Sequence, residues 1–195
     1  MKKYLFVVFS VFLAGSTFAQ DFVRGGNYVT VGYGVNPWGY RGAGNAFGTY
    51  KKTTLGPIIA TYERGVTDIL GIGRIGAGGG ISQTFFTEKY NYGTFEDVYR
   101  TSRLAFTARA AYHFEFGVEK MDVYAGVGGG VYLLFDEDVV YNIFTDSYVT
   151  TRDTRIGGGH YVFGGIRYYF TSAFGVYAEV GHGHRVASGG VVFAF

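Results

Sequence analysis

The chain has 195 residues and no cysteine, so no disulfide holds its fold. It carries 33 Gly, 18 Tyr and 19 Phe with only 2 Pro, and 16% of its residues are charged, against roughly 7% Gly and 25% charged in ordinary globular domains. Of the 17 Lys and Arg, Lys2 and Lys3 sit at the extreme N-terminus, and the other 15 balance the 15 acidic residues, which excludes an electrostatic footprint for nucleic acid. Glycine interrupts helices and aromatic residues favour strands, so the composition points to one all-β domain without a linker.

In chain order, Met1, Lys2 and Lys3 form a short basic start, followed by the apolar run "YLFVVFSVFLAG" and the small residues Thr17 and Ala19. The run is shorter than the ~20 residues of a spanning helix. Its flanks are those of a signal peptide, so residues 1–19 are expected to be cleaved and residues 20–195 to form the domain. Period-two alternation then predicts eight strands: Tyr28 to Val35, Ile58 to Val66, Leu70 to Phe86, Arg103 to Phe116, Asp122 to Phe135, Gly157 to Phe170, Phe174 to Gly181 and Val186 to Phe195. Pro57 has no N–H for a ladder, so the second strand is expected to start at Ile58 or to carry a bulge. The connections "NPWGYRGAGNAFGTYKKTT", "TEKYNYGTFEDVYRTS" and "DEDVVYNIFTDSYVTTRDT" are long and polar, whereas "TDI", "GVEKM" and "TSA" are short. Long and short connections alternating in this way describe an up-and-down antiparallel barrel with long loops on one rim.

Two faces separate cleanly. In the fourth strand Leu104, Phe106, Ala108, Ala110, Tyr112, Phe114 and Phe116 share one face, while Arg109, His113 and Glu115 lie on the other. The polar face holds too few ionisable groups to solvate the outside of a soluble barrel, yet enough to furnish a narrow lumen. The apolar face is therefore expected to meet lipid, where a closed barrel leaves no backbone group unpaired. Phe114, Phe116, Tyr168, Phe170, Phe174, Phe193 and Phe195 gather near the short-turn rim, and Tyr33, Trp38, Phe85 and Phe135 near the other, as two interfacial girdles.

The signal peptide, the eight alternating strands and the last strand "RVASGGVVFAF" resemble the small outer-membrane β-barrels of Gram-negative bacteria, the OmpA-barrel and OmpX-like class, over essentially the whole mature chain. The resemblance implies an eight-stranded antiparallel transmembrane barrel in the outer membrane, monomeric and in contact with outer-membrane lipid. It also implies an assembly signal, read by the barrel assembly machinery, at Val191, Phe193 and Phe195. Gly189 and Ala187 are smaller than the residues often found further back in that signal.

The inward residues Glu63, Arg74, Arg109, His113, Glu115, Arg167 and Glu179 are candidates for an internal polar network, with Glu63 expected across from Arg74 and Arg167 diagonal to Glu179. Tyr124, Tyr132, Tyr161, Tyr169 and Tyr177 would fill much of the remaining width, so a continuous pore is not expected. A catalytic reading of the same groups lacks a substrate pocket. His182, His184 and Ser188 give no nucleophile–base–acid constellation, and Glu179 falls on the opposite face from the two histidines, which removes a metal site. "GIGRIG" fits a dinucleotide pattern but opens no helix, and "DED" at Asp136 to Asp138 reads as a solvated loop start. No catalytic residue, metal or cofactor is expected. Recognition is expected in the loops, with Trp38, Tyr40, Arg41, Lys51 and Lys52 as candidates for a surface ligand of unspecified identity. The leading expectation is a non-enzymatic outer-membrane protein that supports the envelope or binds surface partners. A narrow porin-like channel comes second and a lipid-modifying enzyme third.

Overall fold

The computed structural model describes residues 22–35, 49–183 and 186–195. The expected leader, the loop candidates Trp38, Tyr40 and Arg41, and His184 lie outside these described residues. Eight strands follow one another: β1 (Asn27–Val35), β2 (Thr49–Gly65), β3 (Gly73–Asn91), β4 (Glu96–Phe114), β5 (Met121–Asn142), β6 (Ser147–Tyr169), β7 (Phe174–His182) and β8 (Ala187–Ala194). Each pairs antiparallel with its neighbour, and β8 returns to β1 over Tyr28↔Ala194 to Val35↔Ala187 to close the barrel. Closure removes the free edges that an open sheet would present. The seam is pinned at its end by reciprocal backbone bonds between Asn27 and Phe195, each at 3.0 Å.

Alternation fixes the two faces. Along β7 the residues at Gly175, Tyr177 and Glu179 are buried, while Val176, Ala178 and Val180 are exposed. The same holds around the ring, where Val31, Tyr33, Val127, Val131, Val162 and Ile166 all point outward and are exposed. The outside of this barrel is therefore apolar and its interior polar. Aromatic rings on the short-turn rim form contacting chains, with Tyr168 on Phe170, Phe170 on Phe174, and Phe174 on Phe193, at centroid separations of 5.6, 6.0 and 5.4 Å.

Two of the expected long loops are strands instead. β3 and β4 stay paired to Asn91↔Glu96, and β5 and β6 to Asn142↔Ser147. "TEKYNYGTFEDVYRTS" thus reduces to a turn at residues 92–95, and "DEDVVYNIFTDSYVTTRDT" to a turn at residues 143–146. In both, an Asn side chain accepts the backbone N–H two residues on (Gly93 to Asn91 at 2.7 Å, Phe144 to Asn142 at 2.9 Å), which is the Asx device for reversing a chain. The polarity of these segments points to loop, but strands that run beyond the apolar wall need no apolar alternation. Tyr, Thr and Val supply strand propensity there, and opposite charges face one another across the ladder. A transmembrane strand needs only about 9–11 residues, whereas β2 to β6 have 17 to 23. The surplus rises from one rim as a five-stranded extension.

The first long connection also shrinks, because β2 begins at Thr49. β2 passes Pro57 through a bulge, where the register slips between Leu55 and Ile58.

Candidate functional site

The lumen's ionisable groups converge in its lower half, toward the short-turn rim. Neighbouring strands set Glu63 beside Gly78, Gly78 beside Arg109, and Arg109 beside Gly128, so the glycines leave room for long side chains to cross the interior. Arg167 donates from Nη2 to Glu63 Oε2 at 2.8 Å and from Nη1 to Asp122 Oδ2 at 3.2 Å. Arg109 donates from Nη2 to Glu179 Oε2 at 2.9 Å and lies 3.6 Å from Glu63. His113 spans two acids, with Nε2 2.5 Å from Glu63 Oε1 and Nδ1 2.8 Å from Asp122 Oδ1. Arg109, Arg167 and His113 thus face Glu63, Asp122 and Glu179 in one connected cluster.

Aromatic rings wall the cluster in. The Arg109 guanidinium lies over Phe163 at 4.0 Å and that of Arg167 over Tyr124 at 4.7 Å. Tyr124 also donates to Glu179 at 3.2 Å. The rings of Tyr124, Tyr161 and Tyr132 each lie over a glycine directly across the β5–β6 ladder, namely Gly165, Gly128 and Gly157. All six members are buried. Charges in so dry a setting persist only when paired.

One expected pairing differs from the structure. Glu63 sits across from Gly78, not Arg74. The β2–β3 reversal is made at Gly71, with φ of 69° and Leu70 N–H donating to Gly73 C=O at 2.6 Å, rather than at Asp68 and Ile69. Glycine alone takes that left-handed conformation cheaply, so it draws the turn toward itself. The displacement is even, so Arg74 keeps its inward face. It meets Glu115 at 2.7 Å, half-buried at the rim and apart from the central cluster. Arg167 does lie diagonal to Glu179, since Gly165 faces Glu179 and Arg167 faces Tyr177. Its carboxylates are nonetheless Glu63 and Asp122, while Glu179 takes Arg109. Asp122 was missed, although it shares the inward parity of Tyr124 and Gly126 on β5.

Above the rim, charges form a second array. Glu137 accepts from Arg100 at 2.6 Å and from Arg152 at 2.9 Å, linking β4, β5 and β6. Asp136 binds Arg155 and accepts from Thr101 at 2.6 Å, so "DED" is strand rather than loop start. Of the loop candidates, Lys52 lies 3.5 Å from Glu88 and Lys51 is exposed. The bonds from Arg152 and Arg100 hold the Glu137 carboxyl below its ordinary range. This tie is therefore complete above the unfolded carboxylate range and is lost as pH falls through Glu137's lower folded value. An NMR titration of the Glu137 side chain is expected to give a depressed midpoint that moves back up in Arg152→Ala. An unchanged midpoint in that variant would remove Arg152 from the tie.

His182 ends β7 exposed, and Ser188 is buried on β8 without a His beside it in the ladder. Among the described residues, no group of three or more His, Cys, Asp or Glu is arranged to hold a metal ion.

Fold and interior together define a class: an eight-stranded antiparallel barrel, apolar outside, with an ion-paired lumen. The chain is similar in structure to Ail, the attachment invasion locus protein of Yersinia pestis, with a TM-score of 0.48 and 12% identity over 89% of this chain and 100% of that one. It is also similar to the N-terminal β-barrel domain of Pseudomonas aeruginosa OprF, with a TM-score of 0.38 and 15% identity over 88% of this chain and 98% of that domain. No protein-family profile and no curated protein matches the chain.

Proposed function

We propose that this chain is an integral outer-membrane β-barrel with a sealed lumen and no enzymatic activity, monomeric in outer-membrane lipid, which supports the envelope or presents a surface for partners above the bilayer. The observation that carries this reading is the inverted polarity: a cluster of six buried ionisable groups inside a wall whose outward residues are apolar. A soluble barrel distributes these groups the other way round. The recognition surface is the five-stranded extension, with exposed Ile143 and Phe144 at the apex of its longest hairpin. Val191, Phe193 and Phe195 would serve as the address for the assembly machinery, and residues 1–19 as the export signal.

The test is conductance of the folded protein in a planar bilayer, after its gel mobility has been shown to shift on heating. Silence is expected, because an eight-stranded barrel has an interior that side chains fill. Steady unitary steps would overturn the sealed lumen and make transport the function.

A further inference from the structure

At the end of the lumen nearest the cluster, the inward side chains Tyr28 and Tyr169 of the wall are joined by the short segment that precedes β1. Phe22 lies only 3% exposed, its ring parallel to that of His113 at 3.4 Å between centroids and stacked on Tyr28 at 4.6 Å. Val23 N–H donates to the Tyr28 hydroxyl at 2.9 Å, and Gly25 N–H to Gly65 C=O at 2.8 Å. Gly76 makes the seat, because a Cβ there would stand 2.7 Å from the Phe22 ring. Beside Phe22 is a cavity of about 100 Å³ lined by His113, Glu115, Met121 and Asp122.

The segment joins the ladder only at its end, where Gly25 N–H and Gly26 C=O bond Gly65 at 2.8 and 3.0 Å. Pairing of β1 with β2 starts at Asn27 and with β8 at Tyr28, so every rung survives without Phe22. The ring lies on the face of the imidazole whose two nitrogens are engaged by Glu63 and Asp122. It covers that face, and the Arg167 guanidinium lies over the same Phe22 ring at 6.0 Å. What the segment supplies is a lid over His113, separable from the barrel it covers.

We propose that residues 22–26 form a strap that stoppers the short-turn end of the lumen, and that its withdrawal opens His113 and Asp122 to water while the barrel stays folded. The inference rests on the sealed-lumen reading. It adds that the seal at this end is a displaceable chain segment, so anything that binds or removes the segment controls hydration of the charge cluster.

The test uses the full chain folded in detergent, exposed briefly to hydroxyl radicals, with oxidation at each histidine read by peptide mass spectrometry. In the unaltered protein His113 is expected to be protected while exposed His182 reacts. In Phe22→Ala, His113 reactivity should rise at least about tenfold, the signature of local opening, with the heat-shifted gel band retained. Phe22→Leu should restore most of the protection. Continued protection of His113 in Phe22→Ala overturns the strap, as does loss of the folded band in that variant, which would make Phe22 a core residue of the barrel. Rapid modification of His113 in the unaltered protein also overturns it. Conductance separates the two readings: channel steps from the unaltered protein defeat the sealed lumen itself, whereas silence together with a protected His113 in Phe22→Ala defeats the strap alone.

Discussion

Glu63→Ala is expected to cost the barrel about 3–5 kcal/mol, the loss that follows when one partner of a buried ion network is removed. Glu63 is the acid that Arg167, Arg109 and His113 share, at 2.8, 3.6 and 2.5 Å. Without it the two buried guanidiniums and His113 face only Asp122 and Glu179. The urea midpoint of the heat-shifted gel band, taken in one detergent, measures the loss. The double variant Glu63→Leu with Arg167→Met should recover most of it. The remaining groups still pair, Arg109 with Glu179 and His113 with Asp122, and apolar replacement of a buried ion pair is often neutral. A midpoint for Glu63→Ala equal to that of the unaltered protein would mean that water, not Glu63, compensates these cations.

Gly165→Val should destabilise by about 1–3 kcal/mol through overpacking, and Gly164→Val by less than about 0.5 kcal/mol. The two glycines are neighbours on β6 with opposite faces. A Cβ on Gly165 would lie 2.5 Å from the ring of Tyr124 and 2.9 Å from the carbonyl of Ala178, whereas one on Gly164 meets only the Tyr124 carbonyl, at 3.7 Å. Tyr124 has nowhere to retreat, being buried and engaged by both Glu179 and Arg167. The same urea midpoint distinguishes the pair. Equal effects would mean that the inward face has slack, and with it that the lumen is less filled than the Tyr–Gly ladder implies.

The barrel was legible because period two holds through the segments that carry the lumen charges, although β2 changes parity at its bulge between Leu55 and Ile58. A strand's faces follow from parity alone, so Arg109, His113, Arg167 and Glu179 were placed inward before any register was known. Register was less legible, because it depends on where a turn chooses to close. Asp68–Ile69 and Gly71–Ile72 are both acceptable by length, and the positive φ available to Gly71 decided between them. Parity protected the assignment of faces from that error, while the partner of Glu63 changed completely. The extension differs from the expected loops because its polar strands carry no hydrophobic period, so their sequence looks like loop. Its legible trace was the run of Thr, Val and Tyr between complementary charges, with an Asn at the head of each turn. Phe22 left no trace at all. A single aromatic residue ahead of the first strand has no period, and only the space above Gly76 gives it a place.

The continuous β5–β6 ladder carries one more consequence. From Phe135↔Thr154 it runs without a break to Asn142↔Ser147, which at about 3.4 Å per residue is a mast of roughly 24 Å along the strands. Because the mast is the barrel wall prolonged, its height obeys the parity that sorts the wall. Inserting or deleting one residue in a strand turns every side chain beyond it to the opposite face, while a matched change of two in both strands keeps the faces and moves the apex by one full pleat. Steps of a whole pleat therefore keep Glu137 on the face it shares with Arg100 and Arg152, and the height of the apex above the rim moves in those steps, like the notches of a ratchet.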